Sequence, residues 1–135
     1  MTALAPELYS IDAAGEAAWP FVLTTWLRSY ESSEWARSMG RGVFHHHHHA
    51  IAERLLRSCE LTLATSADGV YLGWSLRAPS LLHYVYVKQQ FRRLGIGLAM
   101  ISGMEPGYRY SHRTSDWRKF ERDNVYNPYL IGAAE

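Results

Sequence analysis

The chain has 135 residues, 47% hydrophobic and 20% charged, with five Trp and nine Tyr. That is the size and composition of one folded domain over residues 1–135, and it excludes a disordered chain. No apolar run reaches the ~18 residues of a membrane span, and the N-terminus lacks the basic-then-apolar order of a signal peptide. A single cysteine, Cys59, leaves no internal disulfide, which points to a reducing cytoplasm. The net charge of +1 argues against a general nucleic-acid coat, but residues 83–122 carry +5 between flanks of −2 each, so an anion is expected near this segment.

The first strong periodicity is helical. Trp19, Val22, Leu23, Trp26, Leu27 and Tyr30 follow the i, i+3, i+4, i+7 pattern, and Pro20 suits a first turn. Gly40 and Gly42 then interrupt the chain. A second helix is predicted over residues 46–58, with His48, Ile51, Ala52, Leu55 and Cys59 on one face. After Cys59 the period becomes two. Leu61, Leu63 and Thr65 alternate, Asp68-Gly69 supplies a hairpin turn, and Val70, Leu72, Trp74 and Leu76 return. Gly73 marks a bulge or a close approach. A third strand spans residues 81–88, a loop follows over 89–94, and an apolar helix runs over 95–104. Residues 108–112 read as another strand and 116–122 as a short helix. The sum is a mixed α/β (α+β) domain, one sheet covered by helices.

The informative segment joins the third strand to the apolar helix. Arg92-Arg93-Leu94-Gly95-Ile96-Gly97 leads straight from a strand ending at Val87-Lys88 into a helix. Glycines there let backbone amides approach a ligand, the first helical turn has unpaired N–H groups, and two arginines add charge, so a pyrophosphate fits. A P-loop would need Gly-Lys-Ser/Thr, which is absent. A dinucleotide fingerprint would need a third glycine where Met100 stands.

Arg92-x-x-Gly95-x-Gly97 after a strand, with Val87 at the strand end and Phe91 before the arginine, resembles the pyrophosphate loop of the GCN5-related N-acetyltransferase superfamily. The order of elements from about Trp19 to Phe120 is similar too. The resemblance implies a central, mostly antiparallel twisted sheet flanked by helices and acetyl-CoA as cosubstrate with no metal required. It also implies direct transfer of the acetyl group to an amine-bearing acceptor. By that resemblance the amides of Arg93, Leu94, Gly95, Ile96 and Gly97 cradle the pyrophosphate beside Arg92. Main-chain groups near Tyr86 and Val87, where the strand parts from its neighbour, bind pantetheine and polarise the thioester carbonyl. Trp26-x-x-Ser29-Tyr30, Tyr86-Val87-Lys88-x-x-Phe91-Arg92 and Tyr126-Asn127-Pro128-Tyr129 give a narrower resemblance to small bacteriophage-encoded members.

An amine with a pKa near 10.4 is mostly protonated at neutral pH, so transfer benefits from a base. His83 lies four residues before Val87, which strand alternation puts on the same face, and some members of the family place a histidine at that distance; a packed histidine is the other reading. The family often uses a tyrosine after the last helix to protonate the thiolate. Tyr126 and Tyr129 are the candidates, Tyr126 first, with ring packing as the alternative. The family's usual asparagine before that helix is replaced by Thr114-Ser115, and no full final hairpin follows.

His45 to His49 are consecutive histidines, of which His45 and His49 share a helix face at a spacing that can clamp a divalent metal. Adventitious affinity accounts for that pattern without a third ligand, although the run is also near the helix that borders the acceptor in this family. Cys59, Trp26 and Tyr30 read as core residues. Arg113, Arg118, Lys119 and Arg122 form a solvated basic face or meet an anionic group. Two alternatives to the enzyme remain: a silent acyl-CoA-binding module, and an enzyme of the same fold modifying nucleic acid.

Overall fold

The computed structural model describes residues 8–105, 107–113 and 124–133. Six strands form one sheet in the order β1 to β6: β1 Tyr9–Ala13, β2 Glu60–Ser66, β3 Tyr71–Ala78, β4 Leu81–Val87, β5 Arg109–Tyr110 and β6 Val125–Tyr126. The first four pair antiparallel, and β5 and β6 add parallel to β4 and to each other. Four α-helices are described: α1 Trp19–Tyr30, α2 Glu34–Arg37, α3 Arg41–Ser58 and α4 Ile96–Met100. Helices α1 and α3 cover one face of the sheet, where Val22, Trp26, Tyr30, Ala52 and Leu55 pack with Trp74, Leu76 and Tyr84. Helix α4 covers the other, where Ile96 and Met100 meet Ala64 and Leu72.

The α1 periodicity is realised, with Val22, Trp26, Leu27 and Tyr30 buried. The hairpin turn also forms, with Gly69 at φ +84° and Gly69 N–H bonded to Ser66 O. Four elements differ from the sequence expectation. Helix α3 begins at Arg41, because Gly42 falls in the first turn and does not break it. The apolar helix after the loop is only five residues long. Beyond Met100 the chain tightens into i→i−3 bonds, with Ser102 N–H and Oγ both bonded to Ala99 O. Strand β1 and the single turn α2, capped by Ser33 Oγ on Ala36 N–H, were not foreseen. The helix expected over 116–122, together with Thr114, Ser115, Arg118, Lys119 and Arg122, lies outside the described residues.

Gly73 is a close-approach position. A Cβ there would collide with the Tyr86 carbonyl oxygen and sit 3.0 Å from Val87 Cα. The β2–β3 register also shifts beside it, between Ala64 and Thr65. The obstacle is backbone, so it cannot be relieved by a rotamer change. Gly73→Ala is therefore expected to cost about 1–3 kcal/mol, read as a lower urea midpoint with an unchanged slope.

Candidate functional site

Strand β4 has two neighbours for only part of its length. Its pairing with β5 covers Leu81 and Leu82, and Ser111 N–H closes it with a 3.1 Å bond to Leu82 O. From His83 to Val87 the described partner is β3 alone. Among the described residues, β4 is thus paired on both sides only as far as Leu82.

Just past Val87 the chain makes a short 3-10 turn, Gln89–Phe91, and then reaches Arg92. Arg93 at φ +65° and Gly95 at φ +84° both take the left-handed conformation. Left-handed residues in a turn are a common ingredient of anion-binding backbone nests. The first helical bond of α4 is Ala99 N–H to Gly95 O, so the N–H groups of Ile96, Gly97 and Leu98 precede the helical ladder. Leu94 and Ile96 anchor the loop from beneath by packing on the α4 face of the sheet. Gly97 faces the Val85 and Val87 side chains across ordinary contact distances.

Charge gathers at the same end. Arg92 Nε donates to Val87 O at 2.8 Å, and its guanidinium lies 6.0 Å from the Tyr86 ring centroid. Lys88 Nζ sits 5.4 Å from the Phe21 ring centroid on α1. Arg92 and Arg93 are exposed. The eight residues assigned to the cofactor from the sequence are thus the end of β4, Tyr86 and Val87, and the loop from Arg92 to Gly97, with Lys88 and the 3-10 turn Gln89–Phe91 between them. Main-chain amides and the cations Lys88, Arg92 and Arg93 thus lie along the segment that follows β4.

The candidate acid and base are placed differently. His83 is 1% exposed and sits at a bulge: Leu76 pairs Tyr84 and Arg77 pairs Leu82, which leaves His83 with no partner on β3. The bulge interrupts the alternation on which a shared face with Val87 depended. Val87 packs on the α4 face, whereas the His83 ring reaches Ser111 Oγ through Nδ1 at 2.7 Å and Ala133 O through Nε2 at 2.6 Å. Tyr126 is half-buried on β6, with its ring 5.4 Å from that of Tyr110 and the Arg113 guanidinium 4.7 Å from its centroid. Burial raises its pKa. Tyr129 is 95% exposed, in the 3-10 turn Pro128–Leu130.

Two functional candidates escaped the sequence reading, Ser111 and His112. Ser111 Oγ lies 2.7 Å from Nδ1 of His112, and Nε2 of His112 lies 3.0 Å from Nε2 of His48. His48 thus points inward, as its helical position beside Ala52 and Leu55 indicates. The other histidines of the run face outward or sideways, with His45 Nε2 at 2.6 Å from Glu31 Oε2 and His49 Nδ1 at 3.6 Å from Glu53 Oε2. Among the described residues no three His, Cys, Asp or Glu side chains converge on a metal position. Trp26 and Tyr30 are core, and Cys59 is half-buried at the core's edge.

The chain has the fold of the GCN5-related N-acetyltransferases. A putative acetyl transferase from Pyrococcus furiosus superposes with a TM-score of 0.57 at 17% identity, over 88% of this chain and 81% of that one. A GCN5-related N-acetyltransferase from Rhodopseudomonas palustris gives 0.55 at 16%, over 76% of this chain and 64% of that one. The chain thus spans less than two thirds of the length of that relative. AAC(6')-Iy, solved with the bisubstrate analogue CoA-S-monomethyl-acetylneamine, gives 0.51 at 14%, over 88% of this chain and 78% of that one. No family model and no curated protein sequence matches the chain.

Burial disfavours the charged form of His48, lowering its pKa to about 4, and it lowers those of His83 and His112 as well. In the unfolded chain a histidine titrates near 6.5. Below that pH the unfolded state binds more protons, so this stabilisation is complete above pH ~6.5 and is lost as pH falls towards 4. His48 alone accounts for roughly 3 kcal/mol across that window. Urea midpoints should therefore fall steeply between about pH 7 and pH 5; equal midpoints would contradict three neutral buried rings.

Proposed function

We propose that the chain is an acetyl-CoA-dependent N-acetyltransferase that passes the acetyl group directly to an amine. The observation that carries this reading is the coincidence of two features at one point. The described β4–β5 pairing stops at Leu82, and the far end of β4 leads into the Arg92–Gly97 loop with its left-handed backbone and cations. The bisubstrate analogue of CoA bound by the structurally similar AAC(6')-Iy supports the same cosubstrate here.

The roles follow from position. Loop amides and Arg92, Arg93 and Lys88 hold the pyrophosphate, as fixed dipoles and charges at the end of a strand. The open edge of β4 at Tyr86-Val87 holds the pantetheine arm and aligns the thioester. Holding thioester and amine together supplies the proximity that direct transfer needs. His83 accepts the amine proton, and Tyr126, whose ring lies beneath Arg113, donates to the departing thiolate. Tyr129, exposed and remote from the core, is the weaker acid candidate. The acceptor is an amine of unassigned class and the setting is cytoplasmic; no described helix is long and apolar enough to cross a membrane.

One observation favours a second reading, a silent acyl-CoA-binding module. Both ring nitrogens of His83 are engaged and its side chain is buried. Such a module binds acetyl-CoA but turns over no amine.

Calorimetry with acetyl-CoA tests the reading first. The native chain should bind, and Gly95→Trp should weaken binding by about 100-fold or more, because φ +84° disfavours a side chain and the indole fills the cradle. Circular dichroism of the variant separates a blocked loop from a lost fold. Native protein that is folded and shows no binding would end the acetyltransferase reading. Given binding, His83→Ala should lower kcat by about 100-fold or more over an amine panel, whereas the silent module gives no turnover before or after substitution.

A further inference from the structure

Past β6 the chain leaves the sheet at Asn127, whose N–H donates to Tyr110 O at 2.9 Å. From there to Ala133 its hydrogen bonds are local. Tyr129 N–H meets Asn127 Oδ1, Leu130 N–H meets Asn127 O, Ile131 N–H meets Pro128 O and Ala133 N–H meets Leu130 O, all between 2.9 and 3.2 Å. Among the described residues, a single hydrogen bond joins residues 128–133 to the chain before Asn127. In it Nε2–H of His83 donates to Ala133 O at 2.6 Å, since a carbonyl only accepts. Arg54 of α3 stands beside this end, so near Gly132 that a Cβ there would lie 2.7 Å from Nη2 of Arg54.

The two sides of that bond are held very differently. His83 is 1% exposed, and its Nδ1 meets Ser111 Oγ in a line of buried hydrogen bonds that continues through His112 and ends at His48. The line ties together β4, the chain just after β5, and α3. The His83 ring is therefore fixed from beneath.

Segment 128–133 has no such support. None of its residues is buried, Tyr129 is 95% exposed, and neither Leu130 nor Ile131 joins a described hydrophobic cluster. Its internal bonds survive a rotation about Asn127, so lifting it breaks one hydrogen bond and exposes little apolar surface. Both partners of that bond meet water once parted, which limits the net loss to that of an ordinary hydrogen bond. Segments held by so few buried contacts are those that open locally while the core stays folded.

We propose that residues 128–133 form a strap that lies over His83 at rest, hinged at Asn127 and fastened by the Ala133 carbonyl, and that it lifts to admit the acceptor amine. The inference rests on the acetyltransferase reading for what the strap keeps out. While it is fastened, the Ala133 carbonyl stands in front of His83 and no acceptor reaches the ring. Only the lifted fraction binds an acceptor there, so apparent affinity for the acceptor is reduced by that fraction. The Arg92–Gly97 loop is built from other residues, so acetyl-CoA binds fastened and lifted protein alike.

Exchange of ring N–H hydrogens with water, followed by nuclear magnetic resonance in the intact native protein, reads the lifting directly. Lifting exposes the ring N–H of His83 alone, whereas those of His112 and His48 wait for the core to open. The His83 hydrogen should therefore exchange at least about tenfold faster than the other two; equal rates would overturn the strap. Ala133→Pro removes the N–H that holds this residue to Leu130 O, and Arg54→Ala removes the contact with Gly132. Each should speed exchange at His83 by about 2–10-fold, the factor one ordinary hydrogen bond is worth. With acetyl-CoA and the fastest primary amine of the panel, kcat/KM for the amine should rise by the same factor, and the acetyl-CoA Kd should stay within about twofold. Faster exchange at His83 with kcat/KM unchanged would sink the strap alone. Failure of the native protein to bind acetyl-CoA would instead remove the acetyltransferase reading, and with it the acceptor that the strap admits.

Discussion

The end of the β4–β5 pairing at Leu82 is the constraint around which the described part of the molecule is arranged. Among the described residues β4 is paired on both sides to Leu82 and on one side beyond it, and main-chain groups next to that change of pairing need other partners. The chain meets that need locally. Arg92 reaches back to cap Val87 O, Ser111 N–H bonds Leu82 O, and the bulge at His83 turns its ring towards Ser111 and Ala133. The bulge has a further effect: it changes the parity of β4, so that the residues on either side of His83 serve opposite layers. Leu82 packs with Ile101 and Met104 under α4, while Tyr84 packs with Trp26 under α1.

Rigid support for the open strand comes from the aromatic layer beneath α1. Trp26 lies 5.4 Å from Tyr84 and 5.3 Å from Trp74, all three buried. Each such ring contributes about 1.5–3 kcal/mol of burial, but burial alone does not set an orientation. Polar handles do that. Trp74 Nε1 donates to Thr25 Oγ1 at 2.9 Å, and the Tyr84 hydroxyl meets Ser29 Oγ at 2.8 Å. Thr25 and Ser29 stand four residues apart on α1, so the two bonds fix both its rotation and its height over β3 and β4. A free slide of α1 would cost both bonds at once, and each leaves a buried polar group unpaired.

What the sequence made legible was local. The α1 stripe, the Asp68-Gly69 turn and the strand–loop–helix at 81–104 each depend on neighbours a few residues away, and each is present, the last with its helix shortened to Ile96–Met100. Strand β1 offered only Tyr9 and Ile11 as alternating apolar residues, too short a pattern to stand out. The extent of α3 was misjudged because a glycine pair reads as a break, although a first helical turn tolerates Gly42. The His83 environment was not legible for a different reason. Alternation is a rule for unbroken strands, and the bulge, Ser111, His112 and Ala133 come together only through tertiary contacts 28 to 50 residues apart. One signal was present: a histidine within the apolar period of a helix, as His48 is with Ala52 and Leu55, belongs inside and therefore needs a polar partner.

The histidine run shows how one residue type takes several roles when wound on a helix. His45 is drawn to Glu31, which Arg41 also approaches at 3.5 Å, and so joins the start of α3 to the end of α1. His49 faces Glu53, itself held by Arg57 at 2.7 Å. His48, between them in sequence, is rotated about 100° per residue away from each neighbour and enters the aromatic core. A slip of one residue would still present a histidine to that core, because the run is uniform. It would not present Phe44 one turn before it or Ala52 one turn after. The phase of α3 is therefore set by the residues flanking the histidines, and the chemistry of the buried position by the histidine those flanks select. Glu31 and His45 make that selection from outside the core, which ties the surface pair to the orientation of the ring that ends the internal hydrogen-bond line.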